Sequence, residues 1–471
     1  GHALGHSGLA VVLTSLTTAV ALISFATAEL TALGDLGFFA AAGVMLALLY
    51  TICLLPALVA VVPMKARPPR ESNGSASTIM DRVLLWTANV SIRHPLKIIV
   101  TSLAVFAVSF YFMFNLRYSD YVVAFFPHSL PIRDDITRTD HQLKGVLQLE
   151  VILDTHRENG IYDPVFLNRI ERASQYLERY RTPELFVGKV YSINDIIKEI
   201  HQALNENRKA FYVIPQDYNT IAQELLLFEN AGSDDLEPVV DSLFSKTRIS
   251  IKTEWVDSVI VDEFIREIDH YFKTLFAGSA DVTITGMSAL MARTISAALG
   301  SMTKSYALAF GLIALMMIML VWDFKTGMFS MIPNVFPIFL SLGIMGFFRV
   351  PLDMTSLMMA SIAMGLVVDD TVHFIYNFKK YYQRTGDAHE AIRITFLGVG
   401  RAMVITSVVL ACGFFVLMAA TLNHIVRFGF FTGLTILFAL LADFLLAPAL
   451  MLVITGTHND KKTLVQKTTV P

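Results

Sequence analysis

Long apolar runs joined by short polar stretches set the pattern of this chain. Eight runs approach or exceed the roughly 20 residues that a bilayer crossing takes. They are Leu9–Ala28, Gly37–Val62, Ile98–Phe114, Ser305–Trp322, Met328–Phe348, Thr355–Phe378, Ala402–Ala420 and Phe428–Thr455. Each predicts a membrane helix. Between the third and fourth lies a polar region, Arg117 to Thr303, large enough to fold as a domain. There the period changes. Gln148–Thr155, Phe186–Ile193, Arg248–Trp255 and Asp281–Gly286 read as strands. Asp163–Tyr180 and Val259–Phe276 have helical spacing; in the first, Val165, Phe166, Ile170, Ala173 and Leu177 share one side. Two β-α-β units around a long insertion predict a ferredoxin-like α/β sheet. The insertion, Asn194–Ser245, has no comparable pattern beyond a loop at Asn230–Asp235.

Composition agrees with a membrane protein. Of 471 residues, 54% are hydrophobic and 16% charged, with mean hydropathy +0.55. A soluble domain has no place for that much apolar surface. The net charge of -3 suggests no nucleic-acid partner. Cys53 and Cys412 lie in apolar runs, so they build neither a disulfide framework nor a metal cluster. Basic residues gather in three places: Lys65, Arg67, Arg70, Arg82, Arg93 and Lys97; Lys379, Lys380, Arg384, Arg393 and Arg401; and Lys461, Lys462 and Lys467. Lys and Arg favour the cytosolic side, and an alternating path through eight spans puts all three there. The Arg117–Thr303 region then faces the other side. The stretch Ala66–Ser77 is rich in Pro, Ser and Gly and reads as a flexible joint. The inner loop 379–397 carries an apolar stripe, Ala391, Ile392 and Phe396, and predicts an interfacial helix that caps the bundle.

Residues 8–58 match 400–450 at an offset of 392 without a gap, with 18 identities in 51 pairs. Gly8, Thr14-Ser15, Gly37-Phe38-Phe39 and Pro56-Ala57-Leu58 meet Gly400, Thr406-Ser407, Gly429-Phe430-Phe431 and Pro448-Ala449-Leu450. The first two spans therefore correspond to the last two, and parallel repeats of this kind are a transporter signature. The repeat implies that four spans and a second polar domain precede Gly1 in a longer protein.

The chemistry concentrates in Val-Asp-Asp-Thr-Val-His, residues 368–373, within an apolar run. Two carboxylates there cost several kcal/mol each on insertion scales, about 2.5–3.5 by typical values, and mark a functional site. On a helix Gly365, Asp369, His373 and Tyr376 share a face, and Asp370 is turned about 100° away. A structural reading makes the same pair a salt bridge that only fixes topology. Thr406 and Ser407 either bond the carboxylates or bond back to their own helix. Asp443 is a further membrane carboxylate, at a position where the first copy has Thr51. Pro333, Asn334 and Pro337 interrupt the fifth span, as a packing kink or beside a transport path.

One span, a polar α/β domain, five spans and a duplication of that unit resemble the resistance-nodulation-division (RND) transporter superfamily. The run Gly365-Leu-Val-Val-Asp-Asp-Thr-Val-His373 is similar to that family's fourth-helix motif. So are Gly400, Thr406-Ser407, Gly429 and Pro448-Ala449-Leu450. The resemblance is nearest to the MMPL-like and hopanoid-exporter-like branch, with sterol-sensing-domain proteins further off. It implies a polytopic α-helical RND-type bundle with a periplasmic α/β ferredoxin-like porter domain, in the bacterial inner membrane. It also implies proton-motive-force-driven export of a lipidic cargo. By resemblance Asp369 and Asp370 would be the relay carboxylates; on the residues themselves, His373 joins the proton relay and Gly365, Thr406, Ser407 and Asp443 would support it. No cofactor is expected; protons are the coupling ion. Expected partners are the lipid or hydrophobic cargo, the missing N-terminal half and, in a homo-oligomer, further copies. The expected segments are 1–64 (last two spans of the first repeat), 65–96 (cytoplasmic linker), 97–116 (first span of the second repeat), 117–303 (porter-like domain), 304–456 (five spans) and 457–471 (cytoplasmic tail). A non-transporting sterol-sensing-like or protein-export accessory subunit is the competing reading. An intramembrane aspartyl protease ranks low, because adjacent Asp side chains diverge rather than converge on one water.

Overall fold

The computed structural model describes residues 2–28, 30–61, 79–232 and 236–468. The expected joint at 66–77, the loop residues 233–235 and the side chains of the basic tail lie outside the described residues. Along the chain run α1 (His2–Ile23), α2 (Thr31–Val61), α3 (Ile79–Arg93), α4 (Pro95–Met113) and α5 (Pro131–Leu143). Then come β1 (Leu147–Asp154), α6 (Pro164–Glu178), β2 (Val187–Tyr191), α7 (Ile193–Leu204), α8 (Tyr218–Asn230), β3 (Lys246–Thr253), α9 (Ser258–Leu275) and β4 (Asp281–Thr285). Last are α10 (Met287–Val321), α11 (Phe324–Phe329), α12 (Ile332–Phe347), α13 (Met354–Thr385), α14 (Ala388–Thr395), α15 (Arg401–Val416) and α16 (Asn423–Thr468). Two compact units emerge, residues 119–296 and residues 1–118 with 297–471.

Residues 119–296 form the α/β unit. Its sheet has the order β2-β3-β1-β4 with every neighbouring pair antiparallel. β3 therefore separates β1 from β2, and β1 separates β3 from β4, the split β-α-β arrangement of a ferredoxin-like fold. The alternation read from the sequence becomes burial: Leu149, Val151, Leu153, Ile249 and Ile251 lie within the core with Phe166, Leu167, Ile170, Phe264, Ile268 and Phe272 of α6 and α9. The middle segment, unpatterned at first sight, holds α7 and α8. The second strand is shorter than Phe186–Ile193 because Ser192 caps α7 in a capping box with Asp195, whose carboxylate accepts the Ser192 amide at 2.9 Å. The edge strand β2 carries an irregularity at Gly188, where an added Cβ would sit 1.5 Å from the Lys144 carbonyl oxygen.

The other unit is a helical bundle. Among the described residues seven helices are long and apolar enough to cross a membrane, and Val11–Thr27 is a shorter apolar helix. The duplication seen in the sequence is also a duplication of contacts. An added Cβ on Gly37 would come 2.5 Å from the Leu22 carbonyl oxygen and 2.6 Å from the Phe25 Cβ. On Gly429 it would come 2.5 Å from the Phe414 carbonyl oxygen and 2.7 Å from the Leu417 Cβ. Each of these partners is displaced by the same 392 residues, so the hairpins α1–α2 and α15–α16 cross at one equivalent point.

Three expected boundaries shift. The segment 65–96 is not linker throughout: α3 packs on α16, its Ser91 hydroxyl donating to the Phe444 carbonyl at 3.0 Å. Its Asp81 accepts Arg401 at 2.8 and 2.5 Å. The apolar face Leu84, Ala88 was masked in sequence by the neighbouring charges. The polar domain closes at 296 rather than 303, and α10 starts at Met287 rather than Ser305. The intervening Ser, Thr and Ala residues are too polar on average to read as a span but continue one helix. Finally, α13 runs on to Thr385, where Gly386 at φ 69° ends it, and Ala391, Ile392 and Phe396 are fully buried.

Candidate functional site

The centre of the bundle is α13. Ser356, Met359, Ala363, Val367, Val368, Phe374 and Ile375 bury it almost all round. Asp353 caps its start, accepting the Ser356 amide at 2.7 Å. Such a helix holds its polar groups away from water, so each must find a partner within the protein.

Asp370 finds one on α15. Ser407, itself buried, donates its hydroxyl to the Asp370 carboxylate in a very short hydrogen bond. Thr406 lies beside Asp370 as well, but its hydroxyl is directed to the Ala402 and Met403 carbonyls at 2.9 and 3.0 Å. A hydroxyl has one hydrogen, so of the two candidates Ser407 serves the carboxylate and Thr406 serves its own helix.

Asp369 faces α1. Thr14 of α1 lies beside it, with its hydroxyl directed to the Val11 carbonyl at 3.1 Å, and His373, one turn along α13, is its charged neighbour. Its Oδ1 has no partner among the described residues. The approach of α1 depends on Gly365: an added Cβ would sit 2.8 Å from the Ala21 Cβ, and Thr18 donates to the Gly365 carbonyl at 3.2 Å. Thr14 and Thr406 are repeat mates. The two adjacent carboxylates thus face opposite repeats: Asp370 is held by Ser407 of one hairpin, and Asp369 lies beside Thr14 of the other.

Asp443 of α16 is fully buried and lies against the same helix. Its Oδ1 is 2.5 Å from the Thr371 hydroxyl, which is also 2.6 Å from the Asn334 Oδ1 of α12. Sequence reading gave no role to Thr371 and Thr14, and read Asn334 only as an interruption of the fifth span. Signals for them existed. Thr371 stands next to Asp370, and Thr14 is reached from Thr406 through the 392-residue offset. Among the described residues no group of three or more His, Cys, Asp and Glu side chains could hold a metal ion.

This chain matches the MMPL family over residues 1–98 and 251–467. The protein belongs to the MMPL family. The matched segments carry the spans other than α4, α13 included, and the C-terminal part of the α/β unit. A membrane protein of Methanocaldococcus jannaschii is 21% identical over 329 residues, which is 68% of this chain and 79% of that protein. Among solved structures, the hedgehog release protein Disp from the water bear Hypsibius dujardini shares the fold. Its TM-score is 0.65 at 12% identity, over 96% of this chain and 59% of that one. SecDF in its super-membrane-facing form aligns with TM-score 0.47 at 12% identity, over 98% of this chain and 50% of that one. The MMPL chain therefore spans about half to three fifths of these solved structures. It is a multi-pass membrane protein with an RND-type, transporter-like fold.

Proposed function

We propose that this MMPL protein couples proton movement to the export of a hydrophobic or lipidic molecule from the inner membrane. The carrying observation is the pair Asp369 and Asp370, adjacent within an apolar helix, with Asp370 held by the Ser407 hydroxyl of one repeat and Asp369 facing Thr14 of the other. Carboxylates at membrane depth are retained where their charge changes are used. His373 shares the Asp369 face and extends the relay. In a proton cycle each Asp gives up and regains its proton, and Thr14 and Ser407 follow by turning their hydroxyl hydrogens. Occupation of each carboxylate thereby changes how α1 and α15 are held to α13, which is how a proton could alter packing between repeats.

The cargo class rests on a second observation. A cavity of about 450 Å³ opens between α4, α10, α12 and α16. Its walls include Leu103, Phe106, Phe310, Met331, Phe336 and Leu450, and among the described residues Ser102 is the one polar side chain on it. Such walls suit an acyl or polyterpenoid chain and offer nothing to a polar solute. Hopanoid-like and other lipid cargoes fit equally. We read residues 119–296 as periplasmic, on the placement of Lys and Arg. An introduced cysteine at the exposed Gln175, with Cys53 and Cys412 replaced by Ala, should label in intact cells; labelling only after permeabilisation would reverse the orientation.

The coupling test is the Asp369→Asn, Asp370→Asn double variant of the full-length protein. Export per folded molecule should vanish while insertion into the membrane persists. Normal, protonophore-sensitive export in this variant would rule out the relay. Loss of folded protein with activity per molecule preserved would instead identify a structural pair.

A further inference from the structure

The contacts of Thr371 do not balance if every neighbouring carboxyl is ionised. The Asn334 Nδ2 is 3.1 Å from the Ser330 carbonyl oxygen, which can only accept. The amide nitrogen must therefore face Ser330, and the amide oxygen must face Thr371. That oxygen, at 2.6 Å, needs a hydrogen from the Thr371 hydroxyl. The Asp443 Oδ1, at 2.5 Å from the same hydroxyl, needs one too if it is a bare carboxylate. Thr371 has one hydrogen to give. Whichever oxygen it serves, the other would face a lone pair at a distance where two bare oxygens repel.

One further hydrogen removes the conflict. If Asp443 Oδ1 carries a proton, it donates to Thr371, and Thr371 donates onward to Asn334. The remaining geometry agrees. Asp443 is fully buried, and its Oδ2 has no partner among the described residues. A neutral acid tolerates that, whereas a buried carboxylate does not. Among the described residues no Lys or Arg pairs with Asp443; the charged group facing it is Asp370 of α13. From α12 it meets Asn334 through Thr371, and α3 presents the Ser91 hydroxyl to the neighbouring Phe444 carbonyl.

We propose that Asp443 is a second proton-holding group, protonated in this packing, and that its proton decides whether α12 is bonded to α13. When Asp443 loses its proton, the O–H bond at Asp443 breaks and one forms at the Asp370 carboxylate. The Thr371 hydrogen then turns from Asn334 to the charged Asp443, and the Asn334 contact is lost. The relay of Asp369 and Asp370 thus acquires a branch that reaches α12, the helix interrupted by Pro333 and Pro337. The transport consequence rests on the proposed proton coupling; the protonation of Asp443 does not.

Infrared difference spectroscopy on the full-length protein in lipid separates the two. A protonated carboxylic acid gives a carbonyl band that shifts in D2O. The band should be present at neutral pH, absent in Asp443→Asn, and retained in the Asp369→Asn, Asp370→Asn variant. Thr371→Val, close in volume, should move the band by removing the acid's acceptor while the protein still folds. An Asp443→Asn spectrum identical to wild type in this region overturns the proposal, as does a Thr371→Val band that does not move. In transport, Asp443→Asn keeps an N–H donor for Thr371 but cannot release it, so export should fall to background. Wild-type export in Asp443→Asn would overturn the relay role. Export by the Asp369/Asp370 double variant would remove the proton-coupling reading alone, because the infrared band still reports on Asp443.

Discussion

The hairpins α1–α2 and α15–α16 are two copies of one design, and they differ at the position that matters. Both cross through a glycine pressed on a carbonyl oxygen, Gly37 on Leu22 and Gly429 on Phe414. Both bring a hydroxyl to the carboxylate pair, Ser407 bonded to Asp370 and Thr14 beside Asp369. Yet where the second copy has the fully buried Asp443, the first has Thr51, exposed and bonded back to its own Ala47 carbonyl at 2.8 Å. Shared positions fix how the helices cross. The unshared position carries the added chemistry. Duplication preserves geometry because a clash is unforgiving, and it lets titratable groups diverge because a surface threonine has little to lose.

The strongest way to break this comparison is at the crossings. Gly429→Val and Gly37→Val should each destabilise the bundle by about 1–3 kcal/mol or more, since the obstructing atom is backbone and cannot turn aside. Thermal unfolding of the solubilised protein would measure it; tolerance at either glycine would mean that the two hairpins do not cross alike. A smaller effect is expected at the hydroxyls. Ser407→Ala leaves a buried carboxylate oxygen unpaired, about 1–3 kcal/mol, whereas Thr14→Val, which removes a hydroxyl bonded to its own helix, should cost less. Equal losses in stability would show instead that Thr14 serves Asp369 as Ser407 serves Asp370. Smaller still is the unshared position on the first copy. Thr51→Leu should change stability by no more than about 0.5 kcal/mol, whereas Asp443→Leu should abolish export.

The least effect, and the sharpest contrast of depth, comes from the α/β unit. There His156 stands in water between Asp281 at 2.7 Å and Asp154 at 3.6 Å. The hydrogen bond to Asp281 is the main cause that lifts the histidine above its ordinary 6.5, with Asp154 adding to it. Burial works against the Asp154 charge, but the His156 amide and Lys246 outweigh it and hold that carboxyl below 3.8. A raised histidine contributes stability that is complete below its unfolded value and lost as pH rises through its folded value. A depressed aspartate contributes stability above its unfolded value, lost as pH falls through its folded value. The cluster is therefore strongest between the two, from about pH 4 to 6.5. His156→Ala should lower the melting point slightly near pH 5.5 and leave it unchanged near pH 8.5. A larger loss at the higher pH would contradict this sign.

Much of this was legible in the sequence, for physical reasons that differ by region. The four strands and the helices α6 and α9 were readable because one face of each is buried, which writes a period of two or of 3.6 into the residues. The spans were readable because a bilayer demands length. The hairpin repeat was readable because glycine, proline and hydroxyl positions do not drift freely. What escaped was set by partners distant in sequence. α3 hid its Leu84 and Ala88 face among charges whose mate, Arg401, lies more than 300 residues on. Asn334 looked like a kink residue because its role depends on Thr371 and Asp443. Thr406 and Ser407 could not be told apart by spacing; only the packing of α15 decides which hydroxyl meets Asp370.

The irregularity at Gly188 has a consequence of another kind. Sheet edges invite strand addition by foreign chains, and β2 is an edge. Here the backbone of Lys144 lies so close over Gly188 that no side chain fits between them, and the pairing of β2 slips at that point. An incoming strand would meet a short border of five residues whose register slips at Gly188. Any partner that docks on this domain from the β2 side must therefore read side chains rather than extend the sheet.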